Sequence, residues 1–267
     1  MNKPQTHSAF ALEKSTEEAP HILPQNHKDT ARELPEIYYK NSQGSIERVD
    51  RKNLEHWSRE AQLGKPQAQY NLGVAYFKGV GVSPDQEEAF KWFSKAAEKG
   101  SAPGQGFLGV MYENGLGVAQ DHEKSLHWYR KAAEQEDSTA QFNLARLCYQ
   151  GNGTTRAPEE AAKWFEKAAA KNNDTAQNML GVIYENGDGV SQDYSQAESW
   201  YRKAALNGNE AGLYNLGDLY ERGRGVVKDP DQAARWFRKS ALSGFDRAQF
   251  KLGTLYYCGD GVSQAPK

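Results

Sequence analysis

The stretch EAFKWFSKAAEKG, residues 88–100, is one of five near copies whose reading decides how this chain folds. From Trp92, Trp128, Trp164, Trp200 and Trp236 the sequence runs WFSKAA, WYRKAA, WFEKAA, WYRKAA and WFRKSA, and successive tryptophans stand 36 positions apart. A sixth, Trp57, precedes Trp92 by 35. Such constant spacing marks an internal repeat and not a bias of composition. Upstream of each tryptophan a second frame, L-G-x-x-Y-x-x-G-x-G-V, appears as LGVAYFKGVGV from Leu72 and LGVMYENGLGV from Leu108. It returns from Leu180, Leu216 and Leu252, and the copy from Leu144, LARLCYQGNGT, is worn.

Each copy reads as two helices. In the first, Ala68, Leu72, Ala75 and Tyr76 share one face at the 3.6-residue period of an amphipathic helix. Gly79 and Gly81 end it, because glycine weakens a helix and accepts the positive φ of a helix C-cap or tight turn. The second helix starts near Asp85, carries Ala89, Trp92, Phe93, Ala96 and Ala97 on one stripe, and stops at Gly100. Small alanines beside large aromatics are the alternation that close packing requires, and the tryptophans read as the anchors of the stack. One such pair cannot bury its apolar face alone. Stacked copies share a continuous core, so the pattern predicts an all-α solenoid of helix-turn-helix repeats with a 36-residue period.

These recurring positions resemble the Sel-one-like repeat family, a relative of the tetratricopeptide repeats with a longer, glycine-bearing turn between its helices. The resemblance covers residues 65–267, about five full units and a final half unit. It implies a right-handed α-solenoid that acts as a non-catalytic scaffold or adaptor. Similar proteins assemble complexes in bacterial signalling, envelope regulation and host interaction, and in eukaryotic protein quality control. Residues 29–64 keep Trp57 and Gly44 but lack the second turn glycine and carry Pro35, and are expected to form a degenerate first repeat. Residues 1–28 are polar, contain Pro4, Pro20 and Pro24, show no sustained period, and are expected to be disordered.

Composition limits the partners. With 33 Lys and Arg against 35 Asp and Glu the formal net charge is −2, which lacks the basic footprint of a nucleic-acid binder. The longest apolar run near the N-terminus, Ala9 to Leu12, is too short for a signal peptide core or a membrane span, so the chain is expected to be cytoplasmic without membrane insertion. Cys148 and Cys258 form neither a disulfide framework nor a metal-ligand pair, and three of six histidines, His7, His21 and His27, stand in the polar tail. No metal or cofactor is expected. The glycine pairs follow helices and lack the spacing of phosphate-cradling loops, and no H-E-x-x-H or G-x-S-x-G is present. The resemblance does not bring in the enzymatic activities of cysteine-rich relatives, because the repeated cysteine pairs are absent here.

Specificity must then lie in positions the repeat leaves free. By analogy with tetratricopeptide repeats, the first helices line a concave groove, which assigns Tyr70, Val74 and Phe77 to that face, with Glu113, Phe142, Arg146, Tyr149, Glu185, Tyr214, Asp218, Glu221, Phe250 and Tyr257 following by the period. Aromatics separated by acids fit a protein or peptide ligand with apolar anchors and some basic residues. The alternative is that these aromatics only wedge between neighbouring first helices. The lysines Lys95, Lys131, Lys167, Lys203 and Lys239 point away from the apolar stripe near helix C-termini, where a cation complements the helix dipole and keeps the surface soluble; the alternative is a basic binding ridge. After the last turn the sequence lacks a second helix, which predicts an end that is either frayed or covered by a partner or a second copy. Two other readings stay open: a secreted bacterial effector engaging host proteins through the same groove, and an enzyme or small-ligand binder.

Overall fold

A computed structural model describes the backbone of residues 38–40, 46–48 and 51–258 and the side chains of 53–257. The expected polar tail, Gly44 and the turn after Cys258 lie outside the described residues. The order is β1 Tyr38–Lys40, β2 Ile46–Arg48, α1 Arg51–Gln62, α2 Pro66–Lys78, α3 Gln86–Glu98, α4 Ala102–Asn114, α5 His122–Glu134 and α6 Ser138–Gln150. It continues α7 Pro158–Ala170, α8 Asp174–Asn186, α9 Tyr194–Leu206, α10 Glu210–Arg222, α11 Pro230–Leu242 and α12 Asp246–Cys258. Even-numbered helices are the first of each repeat and odd-numbered ones the second. Among the described residues of the unit expected over 29–64, the second helix is present as α1 with Trp57 buried, and ahead of it β1 and β2 pair antiparallel. The chain divides into two compact units, Met1–Ala140 and Gln141–Lys267.

Local chemistry sets the helix ends. Asp85, Asp121, Asp193 and Asp229 cap the second helices, each carboxylate accepting from the backbone N–H three residues on. The first helices end at glycines in the left-handed region, Gly79 at φ 73 and Gly187 at φ 74 among them. The second glycine of the turn has a different reason to be glycine. A Cβ on Gly117 would lie 2.1 Å from the carbonyl oxygen of Gln86, and one on Gly189 would lie 2.5 Å from the amide of Glu159, so each turn is pressed against the start of the preceding second helix.

Within each unit a first helix packs most extensively on the second helix of its own repeat. The contact is an aromatic ring laid on a glycine. Cβ atoms added to Gly73, Gly109, Gly181 and Gly217 would stand 2.6, 2.7, 2.3 and 2.9 Å from the rings of Phe93, Tyr129, Tyr201 and Phe237. Those rings and Phe165 are at most 1% exposed. This corrects the expectation about the tryptophans: Trp92, Trp128, Trp164, Trp200 and Trp236 are only half-buried, and the residue after each of them is the anchor.

A buried polar ladder adds to the apolar core. Gln69, Gln105 and Gln177 are nearly fully buried, and their side-chain amides donate to the carbonyls of Ala61, Ala97 and Ala169 at 3.2, 3.1 and 3.2 Å. These carbonyls lie in the last turn of the preceding second helix, where intrahelical partners run out. Gln135 and Asn207 then donate to the side-chain oxygens of Gln105 and Gln177 at 2.7 and 2.9 Å.

Candidate partner-binding face

In unit 1 the first-helix face is largely closed. Tyr70 is 1% exposed, with its ring 5.9 Å from Phe93 and 5.7 Å from Phe107, and burial pushes its hydroxyl well above its usual pKa. Val74 is buried, and Phe77 packs edge-on to Phe93 and Phe107 at 6.5 and 6.2 Å. The expectation that Tyr70 and Val74 stand exposed on a groove is therefore corrected. Phe107, a position absent from the expected set, stacks on Phe93 at 4.9 Å and closes the space above them. Glu113 accepts from the Tyr129 hydroxyl at 2.9 Å.

In unit 2 the same positions are more open. Phe142 and Tyr214 are half-buried against Phe165 and Phe237 at 5.7 and 5.3 Å, and Phe245 adds a ring 5.5 Å from Tyr214. Arg146 is half-buried and donates to Gln150 at 3.2 Å. Phe250 and Tyr257 are 76% and 86% exposed, on the side of α12 opposite Leu255, which is buried with Ala233, Ala234 and Phe237.

The acids of unit 2 have partners inside the chain. Glu185 accepts from Tyr201 at 2.8 Å and from Arg224 at 2.9 Å; Asp218 pairs with Arg222 at 2.8 Å; Glu221 pairs with Lys251 at 2.8 Å. The Asp218 carboxyl is held above its ordinary pKa, chiefly because burial penalises its charge, with Glu185 and Glu221 adding to this against the pull of Arg222. The basic ligand residues expected from these acids would thus compete with arginines and a lysine already in place.

Tyr149 belongs to a clamp between repeats. Its hydroxyl donates to Asp188 Oδ2 at 2.6 Å, Arg156 donates to Oδ1 at 3.1 Å, and the guanidinium lies 5.0 Å from the Tyr149 ring centre. The Tyr149 hydrogen bond, then Arg156, hold the Asp188 carboxyl below the usual carboxylate range. A carboxyl whose folded-state pKa is depressed contributes stability above its unfolded pKa and loses it as pH falls through the folded one. Asp188→Asn should therefore flatten the lowest-pH part of the acid limb in urea unfolding followed across pH; an unchanged limb would separate Asp188 from acid stability.

The outer face has its own regularity. Lys95, Lys131, Lys167, Lys203 and Lys239 place their ammonium groups 4.0, 4.9, 4.0, 3.8 and 4.6 Å from the ring centres of the tryptophans three residues before them. The lysine expected to complement the helix dipole therefore also caps a half-buried indole. The signal was in the sequence as the invariant W-x-x-K spacing. The Tyr129–Glu113 and Tyr201–Glu185 bonds left a weaker signal: both repeats with tyrosine after tryptophan carry glutamate sixteen positions earlier, although Glu221 stands in the same place before Phe237.

Among the described residues no group of three or more His, Cys, Asp or Glu is placed to hold a metal ion, and no helix is long and apolar enough to cross a membrane. The model of the Sel1 repeat matches six consecutive segments, residues 66–101, 102–137, 138–173, 174–209, 211–245 and 246–267. The chain belongs to the Sel1 repeat family. Among solved structures it is similar to a protective antigen of uropathogenic Escherichia coli with the same fold, at 41% identity and a TM-score of 0.77 over 81% of this chain. It spans 46% of that antigen's length. It is also similar to a Sel1 repeat protein from Oxalobacter formigenes, at 35% identity and a TM-score of 0.69 over 74% of this chain and 80% of that one. No curated protein matches by sequence. The six Sel1 repeats make this an all-α solenoid, and the matched segments begin at α2, so α1 and the strand pair precede them.

Proposed function

We propose that this Sel1 repeat chain is a non-catalytic scaffold that holds a protein or peptide partner on the first-helix face of its repeats. Sel1 repeat proteins generally act as protein-interaction scaffolds, and the family is typically non-catalytic. The observation that carries the finer reading is the band of aromatics in unit 2: Phe142, Tyr149 and Tyr214 half-buried, Phe250 and Tyr257 largely exposed. Large rings on a surface provide contact area at low entropic cost. The partner is an apolar-anchored segment, with its polar groups meeting Arg146, Asp218 and Glu221. In unit 1 the equivalent contribution is confined to Phe77 and Glu113, since Tyr70 and Val74 are covered.

Affinity capture from the source cells, comparing wild type with a Phe250→Ser/Tyr257→Ser variant, tests this. A protein retained by wild type and lost by the variant supports the reading. Equal capture by both would refute it.

A further inference from the structure

Asparagine is followed directly by glycine at Asn114, Asn152, Asn186 and Asn207. Such a pair is prone to close on itself, because glycine has no Cβ to keep its backbone nitrogen away from the preceding side-chain carbonyl carbon. The closure needs two freedoms. The glycine amide must be able to give up its proton and swing towards Cγ, and the asparagine backbone must be free of helical geometry to allow the approach.

Three of the four pairs are held on both counts. Asn114 and Asn186 are the last residues of α4 and α8, and the amides of Gly115 and Gly187 donate to the carbonyls of Met111 and Ile183. Asn207 caps α9 at φ −85 and ψ 6, and the Gly208 amide donates to the Ala205 carbonyl at 3.2 Å. Their side chains are tied as well. Asn114 donates to the Val110 carbonyl at 2.9 Å, Asn207 donates to Gln177 at 2.9 Å, and Asn186 donates to Asp188.

Asn152 is held on neither count. It stands two residues beyond the end of α6, in the turn of the worn repeat. The amide of Gly153, at φ 75, has no hydrogen-bond partner among the described residues. The Asn152 side chain donates to Gln150 Oε1 at 3.1 Å, an exposed contact that water replaces at little cost. One repeat further on, Asp188 precedes Gly189 in the same slot, but Tyr149 and Arg156 hold its carboxyl ionised, and a carboxylate is a poor electrophile.

We propose that Asn152 is a self-modification site that deamidates in the folded protein. The Gly153 amide loses its proton to hydroxide and its nitrogen bonds to Asn152 Cγ; the bond from Cγ to the side-chain nitrogen breaks, and that nitrogen leaves as ammonia. Water then opens the resulting cyclic imide at either carbonyl, giving aspartate or β-linked isoaspartate. The net change is one asparagine amide and one water to one carboxylic acid and one ammonia. Arg146 and Asn152 both donate to Gln150 Oε1, so the new carboxylate arises beside a guanidinium and can no longer donate to that oxygen. The arginine turns to the carboxylate.

Ageing the full chain in mildly alkaline buffer, then digesting it at mildly acidic pH for peptide mapping by mass spectrometry, tests this. Conversion at Asn152 is expected to run about tenfold or more faster than at Asn114, Asn186 and Asn207, each of which must first break a glycine hydrogen bond and leave helical geometry. The Asn152 rate rises with pH, because hydroxide takes the proton, and isoaspartate methyltransferase labels the same peptide. Asn152→Gln removes that label. In concentrated urea, where no fold protects any of them, the four pairs convert at similar rates. Conversion at Asn152 no faster than at the other three in the folded chain overturns the proposal, as does an Asn152 that reacts in urea alone. A lead for Asn152 that persists undiminished in urea overturns it too, by assigning the reactivity to flanking sequence and not to the free Gly153 amide.

Discussion

Phe93→Ala is expected to cost roughly 3 to 5 kcal/mol of unfolding free energy, more than any truncation of a tryptophan in the repeats. Phe93 is fully buried, lies on the backbone of Gly73, stacks with Phe107 at 4.9 Å, and touches Tyr70 and Phe77. Its removal leaves a cavity bounded by three other rings that cannot all move into it. Trp92 is half-buried and keeps one edge under the Lys95 ammonium, so Trp92→Ala removes less apolar area from the interior. Urea unfolding of the two variants side by side decides the order. A larger loss for Trp92→Ala would restore tryptophan as the anchor and contradict the ring-on-glycine account.

The second large effect is at the turn. Gly117→Ala is expected to cost about 3 kcal/mol, against about 1 kcal/mol for Gly115→Ala in the same loop. Both glycines have positive φ, 65 and 68, so the backbone strain is shared. What differs is space: a Cβ on Gly115 would meet nothing closer than 3.4 Å, whereas on Gly117 it would strike the Gln86 carbonyl and the Glu87 amide at 2.1 and 2.8 Å. Backbone at the start of α3 cannot rotate away like a side chain, so the two helices must separate. Equal costs at the two positions would show that the turn has more slack than this contact allows.

The helix pairs and their ends were legible because they rest on local chemistry. The 36-residue spacing, the Asp caps and the paired glycines each act within a few residues, and the helices begin and end where those signals stand. Which aromatic of each W-aromatic pair goes inside was not legible. Neighbouring residues on a helix are 100° apart, so a stripe broad enough to include both Trp92 and Phe93 does not say which one meets Gly73. The structure decides through the glycine, which admits a ring face-on, and through Lys95, which keeps Trp92 at the rim. The first-helix face was only partly legible for a related reason. Tyr70 follows the same period as Phe250, yet Tyr70 is covered by Phe93 and Phe107 while Phe250 is exposed. Period gives direction around a helix, and burial depends on what the next element brings. The Asp218–Arg222 pair was legible as an i,i+4 pair on one helix, but the engagement of Glu185 by Arg224 and of Glu221 by Lys251 depends on contacts that cross from one repeat element to another.

The central claim is that frame positions carry the fold and that displayed first-helix residues carry binding. The thermal midpoint of the Phe250→Ser/Tyr257→Ser variant that loses its partner tests that division most directly. Both rings stand largely in solvent, so the midpoint is predicted to stay within about 2 °C of wild type, in keeping with a surface change of at most about 0.5 kcal/mol. A fall of about 5 °C or more would show that these rings hold the repeats together and would contradict the account.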